Sequence, residues 1–201
     1  FTFRNLEVFQ SNAGKEGVSL VDTIDRCCSC MGSRLLRQWL SMPVMDLKEL
    51  GSRYDIVQYF IDNEQALADM QEDISETGDL ERAVSRLATG KILPREMLQL
   101  ARSLKMMTPI KERCTASGCD ALVKLAGGLR NTDGALQKIV CTLSENSAAQ
   151  LGKGDVIASG VDGKLDELRE ISRGGKDYLL KMQERETERT GIASLKIGYN
   201  N

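Results

Sequence analysis

The 201 residues contain no histidine. The commonest general base and the commonest metal ligand are therefore missing, which excludes His-based hydrolytic triads and His-ligated zinc sites. Aromatic residues make up only 4% and there are three prolines, a poor supply for a β-sandwich. No apolar run approaches the roughly 18 residues needed to cross a bilayer, so no membrane span is expected. A Gly-x4-Gly-Lys-Ser/Thr loop is absent too, so the chain has no backbone cradle for nucleotide phosphates and is not expected to hydrolyse ATP. The net charge of -2 removes any global electrostatic pull on nucleic acid. What is plentiful is Leu, Ala, Glu, Lys and Arg, the residues of long helices. The fold class expected is mainly α: a helical core domain with short edge strands and one long projecting helix.

Cysteine is the exception to the scarcity, with six residues at 27, 28, 30, 114, 119 and 141. No charged and then apolar leader opens the sequence, so the chain reads as cytoplasmic, with its thiols reduced. Cys27-Cys28-Ser29-Cys30 contains a Cys-x-x-Cys spacing, and Cys114 with Cys119 could add two more thiolates. The Cys-x4-Cys step is loose for a structural metal pair, however, and small half-buried residues near a helix start are the simpler reading. Cys30 is the thiol on which a helix amino terminus would act most directly.

Phe1 to Phe9 partly alternates and predicts a short strand. Helices are predicted over Ser19–Ile24 and over Met31–Leu40, where Leu35, Leu36, Trp39 and Leu40 share a side and Pro43 ends the run. Asp46 and Glu49 read as an N-cap with its reciprocal partner. They open a helix whose apolar face is Leu47, Leu50, Tyr54, Val57, Phe60 and Ile61. Residues 61–80 carry seven acidic and no basic side chains, whereas 82–113 carry eight basic and two acidic. The basic stretch could face phosphate, although helices so charged usually present a solvated face. Pro94 suits a first helical turn, and Met97, Leu100, Leu104, Met107 and Ile110 follow as one core stripe.

Two hairpin helices are expected at Asp120–Ala126 and Ala135–Asn146, then a short strand at Val156–Gly160. From Gly163 to Thr190 no proline intervenes, and 28 residues at about 1.5 Å each reach roughly 42 Å, more than a compact domain of this size needs. Leu165, Leu168, Ser172, Gly175, Leu179 and Met182 recur at alternating three and four. They form a seam whose small central residues admit a close partner helix. Seven basic and seven acidic residues balance along this helix, which favours a spacer over a surface that grips DNA. The pair Asp166-Glu167 has no partner base or pocket in view and reads as solvated. After Gly191, Leu195 to Tyr199 reads as the start of a strand. No catalytic, cofactor-binding or metal-binding residue is assigned.

Several blocks, in order, resemble the MutS family of DNA mismatch-repair ATPases. They are Arg4-Asn5-Leu6-Glu7, Ile24-Asp25-Arg26, Met31-Gly32-Ser33-Arg34-Leu35-Leu36 with Trp39-Leu40 and Pro43, and Gly78-Asp79-Leu80-Glu81-Arg82 with Arg86-Leu87 and Pro94-Arg95. Then follow Ile157-Ala158-Ser159-Gly160 and Leu165-Asp166-Glu167-Leu168-Arg169. The most specific block is Glu184-Arg185-Glu186 through Glu188-Arg189-Thr190-Gly191-Ile192 to Leu195-Lys196-Ile197-Gly198-Tyr199-Asn200. The family usually has Thr and Pro where this chain has Cys27 to Cys30, and residues 114–150 carry little that matches. The resemblance implies a fragment in three parts: residues 1–160 a helical core, 161–191 a lever helix, and 192–201 the start of a strand leading to a DNA clamp. It implies a non-catalytic coupling role, with Leu165, Leu168, Ser172, Gly175, Leu179 and Met182 transmitting motion. It further implies a parent protein that binds ATP and magnesium, mismatched double-stranded DNA and a MutL-type partner, and that forms a homodimer. The alternative is a free-standing helical module that recruits a partner helix.

Overall fold

The computed structural model describes residues 2–14, 17–145, 154–192 and 195. Among them the structure is mainly α, with helices α1 (Thr2–Asn5), α2 (Leu20–Ile24), α3 (Cys30–Ser41), α4 (Leu47–Asp62), α5 (Glu64–Glu76), α6 (Leu80–Ala88), α7 (Pro94–Lys105), α8 (Met107–Ala116), α9 (Asp120–Gly128), α10 (Asp133–Thr142) and α11 (Gly163–Thr190). The chain divides into two compact units, residues 1–156 and 157–201.

The first unit departs from the expected strand at once. Thr2–Asn5 is helical, because the Phe-Thr-Phe alternation is too short to hold a strand without a paired neighbour. The Phe3 and Phe9 rings meet instead, with centroids 5.4 Å apart. The carbonyls of Glu7 and Val8 accept from the N–H groups of Leu20 and Val21 at 2.9 and 3.0 Å. Ser19 caps α2, and Asp22 returns a bond to the Ser19 N–H, a complete capping box beneath buried Val21.

The expected Asp46–Glu49 box does not form. Asp46 caps α4 through Lys48 N–H at 2.8 Å, whereas Glu49 turns to Arg53 at 2.6 Å. That guanidinium also lies over the Trp39 ring, 3.6 Å from its centroid, and so holds α3 against α4. Only part of the predicted apolar face of α4 packs: Phe60 reaches the core and Leu50 is half-buried. Ile56, Tyr59 and Phe60 join a core built from Met70 and Ile74 of α5, Ile110 and Cys114 of α8, and Leu122 and Ala126 of α9, while Leu47, Tyr54, Val57 and Ile61 stay exposed. Met70 and Leu122, buried at the centre of this four-helix cluster, each stabilise the unit by about 1.5–3 kcal/mol.

The stripe from Met97 to Ile110 is one helix too few. Pro109 lacks an N–H, and its ring would clash with the carbonyl of Lys105, so α7 stops at Lys105 and α8 restarts at Met107 with Pro109 in its first turn. Pro94 does occupy the first turn of α7, where Leu100, Ala101 and Ser103 are buried. Gly78 is required here: its N–H donates to Ser103 Oγ at 3.0 Å, and a Cβ at 78 would lie 2.9 Å from that same oxygen. The helix predicted to run to Asn146 ends at Thr142, four residues earlier, and Asn146 is outside the described residues. The strand predicted at Val156–Gly160 reduces to a single bridge residue, Ile157, before a turn at Ser159-Gly160; Val156 accepts from Ser144 N–H at 2.9 Å. Its Gly-rich flanks leave too few residues for a ladder.

Candidate functional site

In the second unit α11 is one unbroken helix of 28 residues with the bounds read from the sequence, Gly163 to Thr190. Both ends are closed. Asp162 accepts from Lys164 and Leu165 N–H at 2.9 and 3.1 Å, and Gly191 takes the left-handed conformation (φ 69°) that a β-carbon would disfavour, donating its N–H to Thr187. The seam residues fall on one side of this helix, drifting by about 20° per heptad as a straight α-helix must. Leu165 and Leu179 are half-buried, and Leu168, Ser172, Gly175 and Met182 are exposed. A β-carbon at Gly174 or Gly175 would meet nothing within 4 Å, so the middle of the seam is open among the described residues. Of the strand expected at Leu195–Tyr199 only Leu195 is described, and it is not in a strand; the rest lies outside the described residues.

The base of α11 holds a latch that spacing alone did not bring out. Asp166, read as solvated, accepts from Gly160 N–H at 2.7 Å and pairs with Arg169 at 3.1 Å; the Arg169 guanidinium in turn donates to the Ile157 carbonyl at 2.9 Å. Both side chains are more buried than exposed, at 28% and 16% of their free surface. The turn at 157–160 is thereby fastened to the first two turns of the helix. The i,i+3 spacing of opposite charges was the available signal.

The first unit has its own tie. Arg34 of α3 reaches Asp79 at 2.6 and 2.8 Å and Glu81 at 2.6 and 2.9 Å, a forked grip on the cap and first turn of α6. Two separate sequence blocks, Met31 to Leu36 and Gly78 to Arg82, are thus joined through one guanidinium. That guanidinium, against the opposing effect of burial, holds the Asp79 carboxyl below its ordinary 3.8. The acidic and basic stretches at 61–80 and 82–113 also meet: Arg113 binds Asp73 at 2.6 Å and Asp69 at 2.7 Å. Part of the basic stretch is therefore committed to protein carboxylates rather than displayed to phosphate.

Cys27, Cys28 and Cys30 are exposed, Cys119 is half-buried and Cys114 is buried, its thiol pushed up by desolvation. Burial, with the nearby Asp25 carboxylate, also raises Cys27. Among the described residues no group of three or more Cys, Asp or Glu is arranged to hold a metal, and no helix is long and apolar enough to cross a membrane.

A family model described as MutS domain III matches residues 1–195. The chain is 45% identical over 201 residues to the DNA mismatch repair protein MutS of Christiangramia forsetii, 44% to that of Porphyromonas gingivalis and 41% to that of Flavobacterium psychrophilum. Each comparison covers all of this chain and 22 to 23% of the relative, so the chain spans under a quarter of the length of the curated relatives it matches. The chain belongs to the MutS family and corresponds to its domain III.

Proposed function

We propose that this chain is the structural core and lever of a MutS-type mismatch-repair ATPase, joining an ATPase to a DNA clamp and catalysing nothing itself. The observation that carries the reading is α11, 28 residues without a break, capped at both ends and latched at its base through Asp166 and Arg169. A helix of roughly 42 Å bends little, so a few degrees of rotation at its base become several ångström at its far end. The open seam of Leu165, Leu168, Ser172, Gly175, Leu179 and Met182 is where a second helix would ride. In this reading ATP and magnesium bind elsewhere in the parent protein, as do mismatched duplex DNA and a MutL-type partner, and the parent forms a homodimer. The sequence has no Gly-x4-Gly-Lys-Ser/Thr loop to cradle nucleotide phosphates, and in α2, α3, α4, α6 and α11 first-turn amides already bond to Ser19, Ser29, Asp46, Asp79 and Asp162. The free-standing module is the weaker reading, because the matched relatives carry this stretch as less than a quarter of their length.

The test is Gly175→Pro in the full-length protein. Proline inside a helix costs about 3 kcal/mol and breaks it. The expected outcome is ATP hydrolysis that persists while ATP no longer changes the grip on DNA. Normal coupling of the two would overturn the lever.

A further inference from the structure

The apolar surface of helix α4 is wider than its contact with the core. One part, Ile56, Tyr59 and Phe60, enters the four-helix core. The other carries Leu47, Tyr54, Val57 and Ile61, exposed to 81, 63, 55 and 64%, with Met45 at 94% just ahead of the helix. At steps of seven, three and four residues, these four side chains lie along one line of roughly 21 Å. This apolar arc is wider than the core contact needs, and scattered single exposures do not produce a continuous stripe in this register. Beside the stripe, Ile56, Val57, Phe60, Ile61, Glu64 and Leu67 line an open groove of about 490 Å³ between α4 and α5.

One edge of the stripe is mostly acidic, with Lys48 its one basic side chain. Asp55, Asp62 and Glu64 are exposed, and none of them makes an ion pair with a Lys or Arg among the described residues; Asp62 accepts only from Gln58, at 2.9 Å. The occupant that suits this face has apolar side chains at three-and-four spacing and Lys or Arg along one edge. The matched relatives hold more than three times as much polypeptide again beyond the stretch they share with this chain, enough to supply such a helix in the same molecule. We infer that the outer face of α4 is an intramolecular docking surface, covered by a basic-edged amphipathic helix from another part of the same polypeptide. This rests on reading the chain as one part of a longer protein. It does not rest on the lever, which Gly175→Pro tests separately.

Hydroxyl-radical footprinting of the full-length protein, read by mass spectrometry at Met45, Tyr54 and Val57, tests the inference without a destabilising variant. Each residue is compared with itself in the urea-unfolded protein, at two protein concentrations a hundredfold apart. Tyr54 and Val57 are expected to lose most of their oxidation on folding, equally at both concentrations. Oxidation near the unfolded rate would overturn the inference, because the face would then be bare. Protection that appears only at the higher concentration would also overturn it, since the cover would be a second copy. The doubly reversed variant Asp62→Lys, Glu64→Lys changes only exposed side chains. It is expected to restore oxidation at Tyr54, and unchanged protection would overturn the basic edge assigned to the occupant.

Discussion

The two units differ in how far their ion pairs reach. In residues 1–156 local pairs such as Arg53 with Glu49 and Arg82 with Asp79 stand beside pairs that reach across the sequence, Arg34 to Asp79 and Glu81, Arg113 to Asp69 and Asp73, Arg86 to Glu96, and these tie one helix to another. In residues 157–201 the described pairs are local, Asp166 with Arg169 and Glu186 with Arg189, each three residues apart on one helix. The first unit is held by distant contacts that form only when it folds as a whole. The second is held by propensity, caps and neighbours, and keeps most of its apolar side chains at least partly outside. A bundle of the first kind suits a fixed frame. A helix of the second kind can change partners without losing its own hydrogen bonds.

The largest break in that comparison should come from Leu122→Ala. Leu122 is buried between α4 and α8, and truncating a buried leucine costs about 2–5 kcal/mol, according to how far the cavity collapses. Denaturant unfolding should show the loss in the bundle, while amide exchange along α11 stays where it was. Equal weakening of α11 would mean that the second unit draws its stability from the first unit's core.

A smaller change in the other direction is expected from Gly174→Ala and Gly175→Ala. Both positions are interior to α11, and a β-carbon at either meets open space. Each replacement should stabilise the helix by about 0.5–1 kcal/mol, since glycine loses the most backbone freedom on folding. Slower amide exchange between Leu168 and Leu180 is the measurement. No change, or faster exchange, would show that these glycines make room for something already packed there.

Legibility followed the range of the interaction. The bounds of α11 could be read because Asp162, Gly191 and the absence of proline are local signals, and the capped start of α4 at Asp46 could be read for the same reason. Pro109 is equally local, yet its effect was hidden beneath a continuous Met and Leu stripe, so α7 and α8 were read as one helix. What could not be read was direction. Two apolar stripes on α4 satisfy the same periodicity, and only the positions of α5, α8 and α9 decide that Ile56 and Tyr59 face inward while Tyr54 and Val57 do not. The Arg34 tie joins residues 45 and 47 apart in sequence and leaves no periodic trace, although both of its ends lie in blocks that carry the family likeness.

That tie also gives the bundle an acid limb, the finest test of the contrast. Bonds from Arg34 hold the Asp79 carboxyl below its ordinary 3.8 in the folded protein. A carboxyl depressed on folding stabilises the fold at every pH above its unfolded value, and that contribution is lost as pH falls through the folded one. Asp79→Asn removes the charge but keeps an oxygen to accept the Arg82 N–H that the aspartate now caps at 3.2 Å. At pH 7 the variant should therefore unfold at a lower temperature than the parent sequence. Below about pH 4 the gap should begin to close, because Asp79 of the unfolded chain then takes up its proton first, and it should vanish as pH falls through the lower folded value. A gap of constant size from pH 7 to pH 3 would show that Asp79 holds α6 as a cap and not through its charge. The bundle would then be secured, at this corner, by the same kind of local bond that closes α11.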